Sequence, residues 1–269
     1  MINLPSMALP NSIREINALS IERKIDIYKE LLPPWLKLYD LNFGDLTING
    51  IKAVEIRCIA DSRSVEITVR RDPADKDPLV YFHMTDTFNN QLLVLFAMVN
   101  DPESPRFNID IDEEGNSTQF GTSRRNRPVE ILAKNAGLAP GQVRRGLRVF
   151  RQTIPYFERF VASMGHDLFL IEPLAYHNAI SFERYGFGYI RGYQDMLWID
   201  QAFRPGGELF THLSYDNTNP FRVTDAWQSI RGRSWAIHDG ILGRPFSGFQ
   251  MYKRIGRDSG INTFPGGVW

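Results

Sequence analysis

Residues 141–191 read GQVRRGLRVFRQTIPYFERFVASMGHDLFLIEPLAYHNAISFERYGFGYIR, the stretch with the most definite order of predicted elements. Within it, residues 168–171 (LFLI) form a short unbroken apolar run, which is typical of a strand buried on both faces. Gly165 before this run, and Gly186 after residues 177–185, are placed to end helices. The helix before Gly165 is indicated by apolar residues at spacings of three and four: Leu147, Phe150, Ile154, Phe157, Val161 and Met164. A long helix, a buried strand and a short helix predict an α/β core.

The chain before this stretch predicts helices followed by a sheet. Residues 11–43 have helical periodicity, with Ser20 placed as a helix cap. Beyond them the period changes to two, and polar, proline-bearing linkers between the runs predict an antiparallel meander. Residues 92–99 belong near the middle of this sheet because their apolar residues do not alternate with polar ones. The predicted strands are 46–51, 54–60, 65–71, 79–85, 92–99 and 107–112.

The C-terminal part of the chain has a different composition. Residues 189–199 read as a further strand, and residues 200–269 are rich in Gly, Pro, Asn and aromatic side chains. We therefore predict an α/β domain with a mixed sheet over residues 1–199. The extension over residues 200–269 is expected to be ordered by packing its aromatic side chains on that domain. The same aromatic side chains are candidates for an interface with a protein partner or in a homo-oligomer.

The overall composition excludes several classes of protein. With 269 residues, 43% of them apolar, the chain can bury a sizeable core. Its 31 basic and 31 acidic residues cancel, so we do not expect a nucleic-acid partner. Cys58 is the only cysteine, so an internal disulfide and a thiolate metal cluster are excluded. Residues 1–10 lack the pattern of a secretory leader, and the apolar run 92–99 is shorter than the roughly 20 residues that span a bilayer. We expect a cytoplasmic protein without a membrane partner.

Positive charge is concentrated in one segment of this neutral chain. Between residues 124 and 151 eight basic residues stand against Glu130 alone, a local charge of 8 − 1 = +7. The basic residues are Arg124, Arg125, Arg127, Lys134, Arg144, Arg145, Arg148 and Arg151. In the predicted helix, Arg144, Arg148 and Arg151 share a face opposite to the apolar one. The segment is either a solvated surface or an anion site. The anion site is indicated by glycines that open a helix, where backbone N–H groups bind phosphate.

Residues 179–187, AISFERYGF, have an alanine-bearing helix with an aromatic residue, Glu, a basic residue and then Gly-Phe. Together with the order of the elements, this segment resembles the GCN5-related N-acetyltransferase (GNAT) family. The resemblance implies a GNAT-like fold, acetyl-CoA or another acyl-CoA as cofactor, and a small-molecule or peptide amine as acceptor. It places the acyl thioester between the predicted strands 107–112 and 168–171. It also implies a coenzyme A pyrophosphate loop before the long helix and a contact from the short helix. The matching residues are Gly141, Gln142, Arg144, Arg145, Gly146, Arg148 and Asn178.

Three residues are candidates for the chemistry of acyl transfer. Glu172 directly follows the buried strand and His177 stands at the head of the short helix, so either is a candidate base. The family's general-acid tyrosine corresponds to Phe182, which has no proton to donate. Tyr185, one helical turn away, and His177, at the head of that helix, are the two candidate substitutes for the acid. Each also has a structural interpretation: a carboxylate at a strand edge for Glu172, local capping or packing for His177, and a buried ring for Tyr185.

Other interpretations stay open at this point. The leading alternative is a non-catalytic ligand-binding or assembly protein on the same scaffold. The sequence FERYGF also resembles a motif of the glyoxalase family, whose members use His and Glu as metal ligands, although no metal site is predicted here from the spacing of the five histidines. Residues 129–147 have the spacing of a helix-turn-helix with a basic second helix, and this alternative implies DNA binding through residues 129–151. Asp110 and Asp112 alternate with apolar residues, so this pair can share a proton or hold a cation, or can simply be solvated.

Overall fold

The structure, a computed structural model, describes residues 9–213 and 218–269. In that part of the chain it has a mixed α/β architecture with eight α-helices and ten strands. The helices are α1 (Ile13–Asn17), α2 (Ile21–Lys29), α3 (Arg127–Asn135), α4 (Phe150–Ser163), α5 (Tyr176–Arg184), α6 (Tyr193–Phe203), α7 (Glu208–Thr211) and α8 (Ile230–His238). The strands are β1 (Leu41–Asn42), β2 (Thr47–Ile48), β3 (Ile51–Lys52), β4 (Val54–Arg57), β5 (Ser64–Val69), β6 (Val80–Asp86), β7 (Leu92–Val99), β8 (Leu168–Ile171), β9 (Gly188–Arg191) and β10 (Gln250–Arg254).

The strands form two sheets. Strands β1, β2 and β3 form a small antiparallel sheet, and the other seven are hydrogen-bonded in the order β4-β5-β6-β7-β8-β10-β9. Strands β4 to β7 are an antiparallel meander, as predicted, and β7 and β8 are interior strands. Strand β8 runs parallel to β7, and β10 runs antiparallel to β9. The larger sheet is therefore mixed, which confirms that part of the predicted fold class.

Three predicted strands are wrong or incomplete. Residues 46–51 do not belong to the meander but contribute to the small sheet. Residues 107–112 are not a strand, because the amide of Phe107 donates to the carbonyl of Val143, Ile109 lies in a turn and only Ile111 forms an isolated bridge, to Ser117. The predicted strand 189–199 is strand only as far as Arg191. The left-handed Gly192 (φ 95°) then reverses the chain into α6.

The chain forms two compact units. Unit 1 consists of the described residues of 1–102, 146–171 and 253–257, and unit 2 of those of 103–145, 172–252 and 258–269. The boundary predicted between residues 199 and 200 lies inside α6. Within the described residues, no helix is both long enough and apolar enough to cross a membrane.

The core of unit 1 follows from the alternation in its strands. Val65, Ile67 and Val69 of β5 are buried on one face, as their period of two predicts. Helix α4 covers the same sheet with Phe157, whose ring centroid lies 4.6 Å from that of Phe169 in β8 and 5.2 Å from that of Phe82 in β6. These edge-on aromatic contacts hold α4 against strands β6 and β8 of the sheet.

Unit 2 is built around helix α8. Trp235 of α8 is buried, and its indole N–H donates to the carbonyl of Leu138 over 2.9 Å. Phe221 stacks on the Trp235 ring with centroids 5.2 Å apart. A smaller cluster of Ile109, Ala133, Leu138 and Val143 lies beside α3. The aromatic residues of 200–269 therefore pack against segments 103–145 and 172–199 of the same unit.

Candidate functional site

The parallel step of unit 1 consists of β7 and β8, with α4 in the connection between them. Leu93 pairs with Leu170 and Val94 with Ile171. Leu95 is an extra residue in β7, because Val94 and Phe96 pair with consecutive residues of β6. Beyond this bulge, residues 97–99 pair with β6, and none of the described residues of β8 is in register with them. The predicted strand pair 107–112 and 168–171 is thus corrected: the neighbours of β8 in the sheet are β7 and β10.

The loop that leads into α4 passes close to the end of β7. A Cβ at Gly146 would lie 3.1 Å from the carbonyl oxygen of Val99, so this backbone approach favours glycine. Arg148 follows with a φ of 58°, a left-handed conformation that is uncommon for a residue with a side chain. Arg148 is exposed, and no carboxylate among the described residues lies within 4 Å of its guanidinium. This loop therefore presents a positive charge at the entrance to α4.

Helix α4 begins at Phe150, which corrects the predicted start at Leu147. Val149 is its N-cap and supplies no side-chain hydrogen bond, while the amides of Gln152 and Thr153 both donate to the Val149 carbonyl. The helix contains Pro155 in its second turn. Because the amide dipoles align along the helix, this end attracts negative charge.

The predicted basic face of the long helix does not exist, because Arg144 and Arg148 lie before α4. In unit 2, Arg144 donates to the carbonyl of Ser104 over 2.6 Å. Arg145 donates from its backbone to the Ser104 hydroxyl and from its guanidinium to the Ala136 carbonyl. These bonds give the two arginines a role in holding loop segments of unit 2 together.

The other two residues of the predicted pyrophosphate loop, Gly141 and Gln142, also lie in unit 2. Gly141 is left-handed, with a φ of 80°. The side-chain oxygen of Gln142 accepts a hydrogen bond of 2.8 Å from the amide of Ala139, which closes a turn. The seven predicted cofactor residues are thus divided: Gly146 and Arg148 are in unit 1, and the others, including the half-buried Asn178 of α5, are in unit 2.

His177 is buried in unit 2, with 4% of its surface exposed. Its Nδ1 lies 2.8 Å from the hydroxyl of Ser234, and the ring meets the edge of Trp269 with centroids 6.2 Å apart. Burial, aided by repulsion from His238, lowers the pKa of His177 to about 4. The imidazole is therefore neutral at pH 7 and enclosed, which disfavours a direct role as a base toward a substrate.

Glu172 and Tyr185 have more open surroundings. Glu172 is exposed, and its carboxylate lies 3.5 Å from the side-chain amide of Gln250. Tyr185 is half-buried and caps the C-terminus of α5, before the left-handed Gly186. Phe182 packs against Phe187 with ring centroids 5.2 Å apart, so the position of the family's acid is an apolar contact here. Of the three predicted catalytic residues, Glu172 is the most exposed.

Asp110 and Asp112, the alternating aspartates of the segment 107–112, each have a positively charged partner. Asp110 accepts two hydrogen bonds from Arg106, of 2.9 and 2.7 Å, and Asp112 accepts one of 3.0 Å from Arg124. Each carboxylate thus has its own arginine. These contacts favour two separate ion pairs over a pair of carboxylates that shares a proton or holds a cation.

Much of the basic run is neutralised inside unit 2 by carboxylates that lie far away in the sequence. The side chain of Asp239 is 4% exposed and accepts hydrogen bonds from Arg125, Arg127, Arg222 and Asn219. Burial raises the pKa of Asp239, but the hydrogen bonds from Arg125, Asn219 and Arg222 outweigh it, so the pKa lies below its ordinary value. The arginines of 124–127 therefore form internal ion pairs.

Two further buried charges in unit 2 were not indicated by the sequence analysis. Arg233 is 1% exposed and donates to Asp200 over 2.8 Å, while its guanidinium carbon lies 3.4 Å from the ring centroid of Phe264. Glu183 accepts from the Tyr189 hydroxyl and from the Thr263 amide and hydroxyl. Burial nevertheless raises the pKa of Glu183. An arginine among the apolar residues of α8 was the one available signal, because unpaired charges are rarely buried.

Comparisons with known protein families, with curated proteins and with solved structures found no match to this chain. Across residues 9–213 and 218–269, no group of three or more His, Cys, Asp and Glu side chains is arranged to hold a metal ion. The helix-turn-helix interpretation of residues 129–147 is wrong. Helix α3 is present, but no second helix follows it before α4.

Proposed function

We propose that this protein is an acyl-coenzyme A dependent N-acyltransferase on a GNAT-like scaffold, with acetyl-CoA or another acyl-CoA as donor and an amine as acceptor. The observation that carries the proposal is the parallel step β7–α4–β8, in which Gly146 passes the end of β7 directly before α4. This is the place where the resemblance expects the coenzyme. The meander before it, and the short helix and Gly186-Phe187 after it, support the same assignment.

Coenzyme binding on unit 1 is supported by charge and by backbone geometry. The N-terminus of α4 attracts a pyrophosphate, and Arg148 adds a cation with no carboxylate partner among the described residues. The extended arm of the coenzyme contains amide groups, which suit the edge of residues 97–99 in β7. These features come from consecutive parts of one unit.

The chemistry follows from the donor and acceptor. The amine nitrogen attacks the thioester carbonyl, an amide bond forms, the carbon–sulfur bond breaks, and the sulfur leaves with the bonding pair. A base must take the proton of the amine, and the thiolate must regain one. Glu172 is the candidate base because it is exposed and directly follows β8. Tyr185 stays the predicted acid, and the burial of His177 makes it a positioning candidate for α5 rather than the base.

The test of this proposal is calorimetric titration with coenzyme A and acetyl-CoA, with thermal shift as a second readout. Saturation to 100 times the dissociation constant is expected to stabilise the fold by about 2.7 kcal/mol. Arg148→Gln removes one charge-assisted hydrogen bond and should therefore lower the affinity for coenzyme A about tenfold. Arg23→Gln, which removes an exposed charge on α2, is the matched control and should bind as the wild type does. No binding at millimolar coenzyme would refute the proposal.

A second candidate function is a non-catalytic binding protein on this scaffold. It is favoured by the enclosed, neutral His177 and by Phe182, which leave few groups for proton transfer. Release of free thiol from acetyl-CoA over a panel of amines separates the two. Turnover that falls in Glu172→Gln with unchanged coenzyme affinity would support the transferase. Coenzyme binding with no thiol release above the buffer rate would favour the binding protein.

A further inference from the structure

A cavity of about 630 Å³ lies in unit 1, on the side of α4 that faces the N-terminal segment. Its volume is within the range of small-molecule sites. The basic side chains that line it are Lys29, Lys37 and Arg159, and the aromatic ones are Phe43, Tyr156 and Phe160. The cavity therefore combines a cationic wall with an aromatic surface.

The basic residues that line the cavity are not fully neutralised by nearby carboxylates of the described residues. Three basic side chains face one acidic lining residue, Glu30, which leaves 3 − 1 = +2. Lys29 makes only long contacts, 3.4 Å to Asp26 and 3.5 Å to the carbonyl of Gly44. In the described part of the chain, no carboxylate lies within 4 Å of Lys37 or Arg159. A negative group entering the cavity would meet cations that lack a close acidic partner.

Arg159 is held in a geometry suited to an anion. Its guanidinium carbon lies 4.4 Å from the ring centroid of Tyr156, one turn earlier on α4. A guanidinium that stacks on a ring keeps its N–H edges available for two parallel hydrogen bonds to a carboxylate or phosphate. Phe160 beside it is 2% exposed and packs near Tyr28 of α2, so the floor of the cavity is part of the rigid core.

This cavity is separate from the proposed coenzyme loop. Arg159 lies nine residues after Phe150, the first residue of α4. That spacing corresponds to about 13 Å along a helix axis. A ligand at Arg159 therefore does not depend on the pyrophosphate site at the start of the helix.

We infer that this cavity binds a small organic anion, a carboxylate or phosphate monoester carried on an aromatic body. The anionic group contacts Arg159 with support from Lys37 and Lys29, and the ring packs against Phe43 and Tyr156. Both halves of the ligand are needed, because the cationic wall and the aromatic surface line the same space.

The experiment is titration of the full-length protein with phenyl phosphate and benzoate, followed by calorimetry and by protein NMR. We expect saturable binding of at least one of them with a dissociation constant of about 1 mM or lower. Benzyl alcohol, which lacks the charge, and inorganic phosphate, which lacks the ring, should each bind at least about tenfold more weakly.

Two variants locate the site. Arg159→Gln should lower the affinity for the aromatic anion about tenfold. Arg23→Gln, which removes an exposed charge on α2 outside the cavity lining, should leave that affinity unchanged. Arg148→Gln should also leave it unchanged, and Arg159→Gln should not alter coenzyme A affinity, so this inference and the proposed function fail independently. The inference is overturned if neither aromatic anion saturates, if inorganic phosphate binds as tightly as phenyl phosphate, or if Arg159→Gln binds like the wild type.

Discussion

Two groups of arginines, one in each unit, have opposite surroundings. In unit 2, Arg125 and Arg222 reach the buried carboxylate of Asp239, and Arg233 reaches Asp200. In unit 1, Arg148 and Arg159 are exposed, with no carboxylate within 4 Å among the described residues. The first group is bound by long-range ion pairs and belongs to the fold, whereas the second group is open to a ligand.

This difference explains why a local excess of positive charge in the sequence does not by itself predict an anion-binding site. The run 124–151 counts as +7 in the sequence with Glu130 already subtracted, but Asp112 and Asp239, which lie outside the run, form ion pairs with its first three arginines. Arg159, which lies outside that run, stacks on Tyr156, and no carboxylate in the part of the chain that the structure describes lies within 4 Å of it. The surroundings of each cation, rather than the density of cations along the chain, decide which surface can bind an anion.

The largest effect that can test this comparison is the loss of Asp239. Asp239→Asn should lower the free energy of unfolding by about 3 kcal/mol, because it leaves several arginines around a neutral side chain. Asp195→Asn is the matched control, since it breaks an exposed pair with Arg244 (50% and 44% exposed) and should cost less than about 1 kcal/mol. Urea unfolding measures both. Equal losses would show that burial of the pair is irrelevant.

The second effect concerns pH and His177. Because the folded pKa of about 4 lies below the ordinary value of 6.5, the stabilisation is present above pH 6.5 and is lost as the pH falls through 4. The full loss from this residue is about 3 kcal/mol. Urea unfolding between pH 4 and 8 should show a shallower acid slope for His177→Gln than for the wild type. His212→Gln, at an exposed histidine, should keep the wild-type slope.

The third effect concerns the hydrogen bonds of Glu183. Tyr189→Phe removes the hydroxyl that donates to Glu183 over 2.6 Å and should cost about 1–3 kcal/mol at pH 7. The pKa of Glu183 is already raised by burial, and losing this donor raises it further. A group with a raised pKa stabilises the fold at pH values below the ordinary pKa of 4.5, and this stabilisation is lost as the pH rises. The free-energy cost of Tyr189→Phe should therefore be smaller at pH 4 than at pH 7.

The control for this hydroxyl is Tyr193→Phe, because Tyr193 is 38% exposed and no hydrogen bond joins its hydroxyl to the described residues. Its unfolding free energy should match that of the wild type at both pH values. An equal cost for the two tyrosine variants, or a cost that does not change with pH, would contradict a role for Glu183 in the Tyr189 effect.

The smallest effect is expected in unit 1. Arg148→Gln and Arg159→Gln should each change the free energy of unfolding by less than about 0.5 kcal/mol, since both side chains are exposed and lack an acidic partner among the described residues. Urea unfolding beside Asp239→Asn measures the contrast directly. A loss of more than about 2 kcal/mol in either variant would place these arginines with the structural ones of unit 2.

Local patterns predicted the elements that depend on near neighbours in the sequence. The apolar run at 168–171 is strand β8, and residues 177–185 correspond closely to helix α5 with Gly186 in the left-handed conformation. Both follow from periodicity and from glycine stereochemistry. The prediction failed at 107–112, where Arg106 binds Asp110 and the amide of Phe107 donates to the distant backbone carbonyl of Val143. These contacts override the β propensity of an alternating pattern.

The sequence by itself determined the mixed α/β class, the meander of β4 to β7, and the order of long helix, buried strand and short helix around Gly165 and Gly186. These features depend on spacing and on single-residue conformations, which are local. Only the tertiary structure decided that β8 lies beside β7, that His177 is enclosed, and which arginines have acidic partners. Those properties depend on residues up to 114 positions apart, as between Arg125 and Asp239, and burial and pairing at such separations leave no local trace.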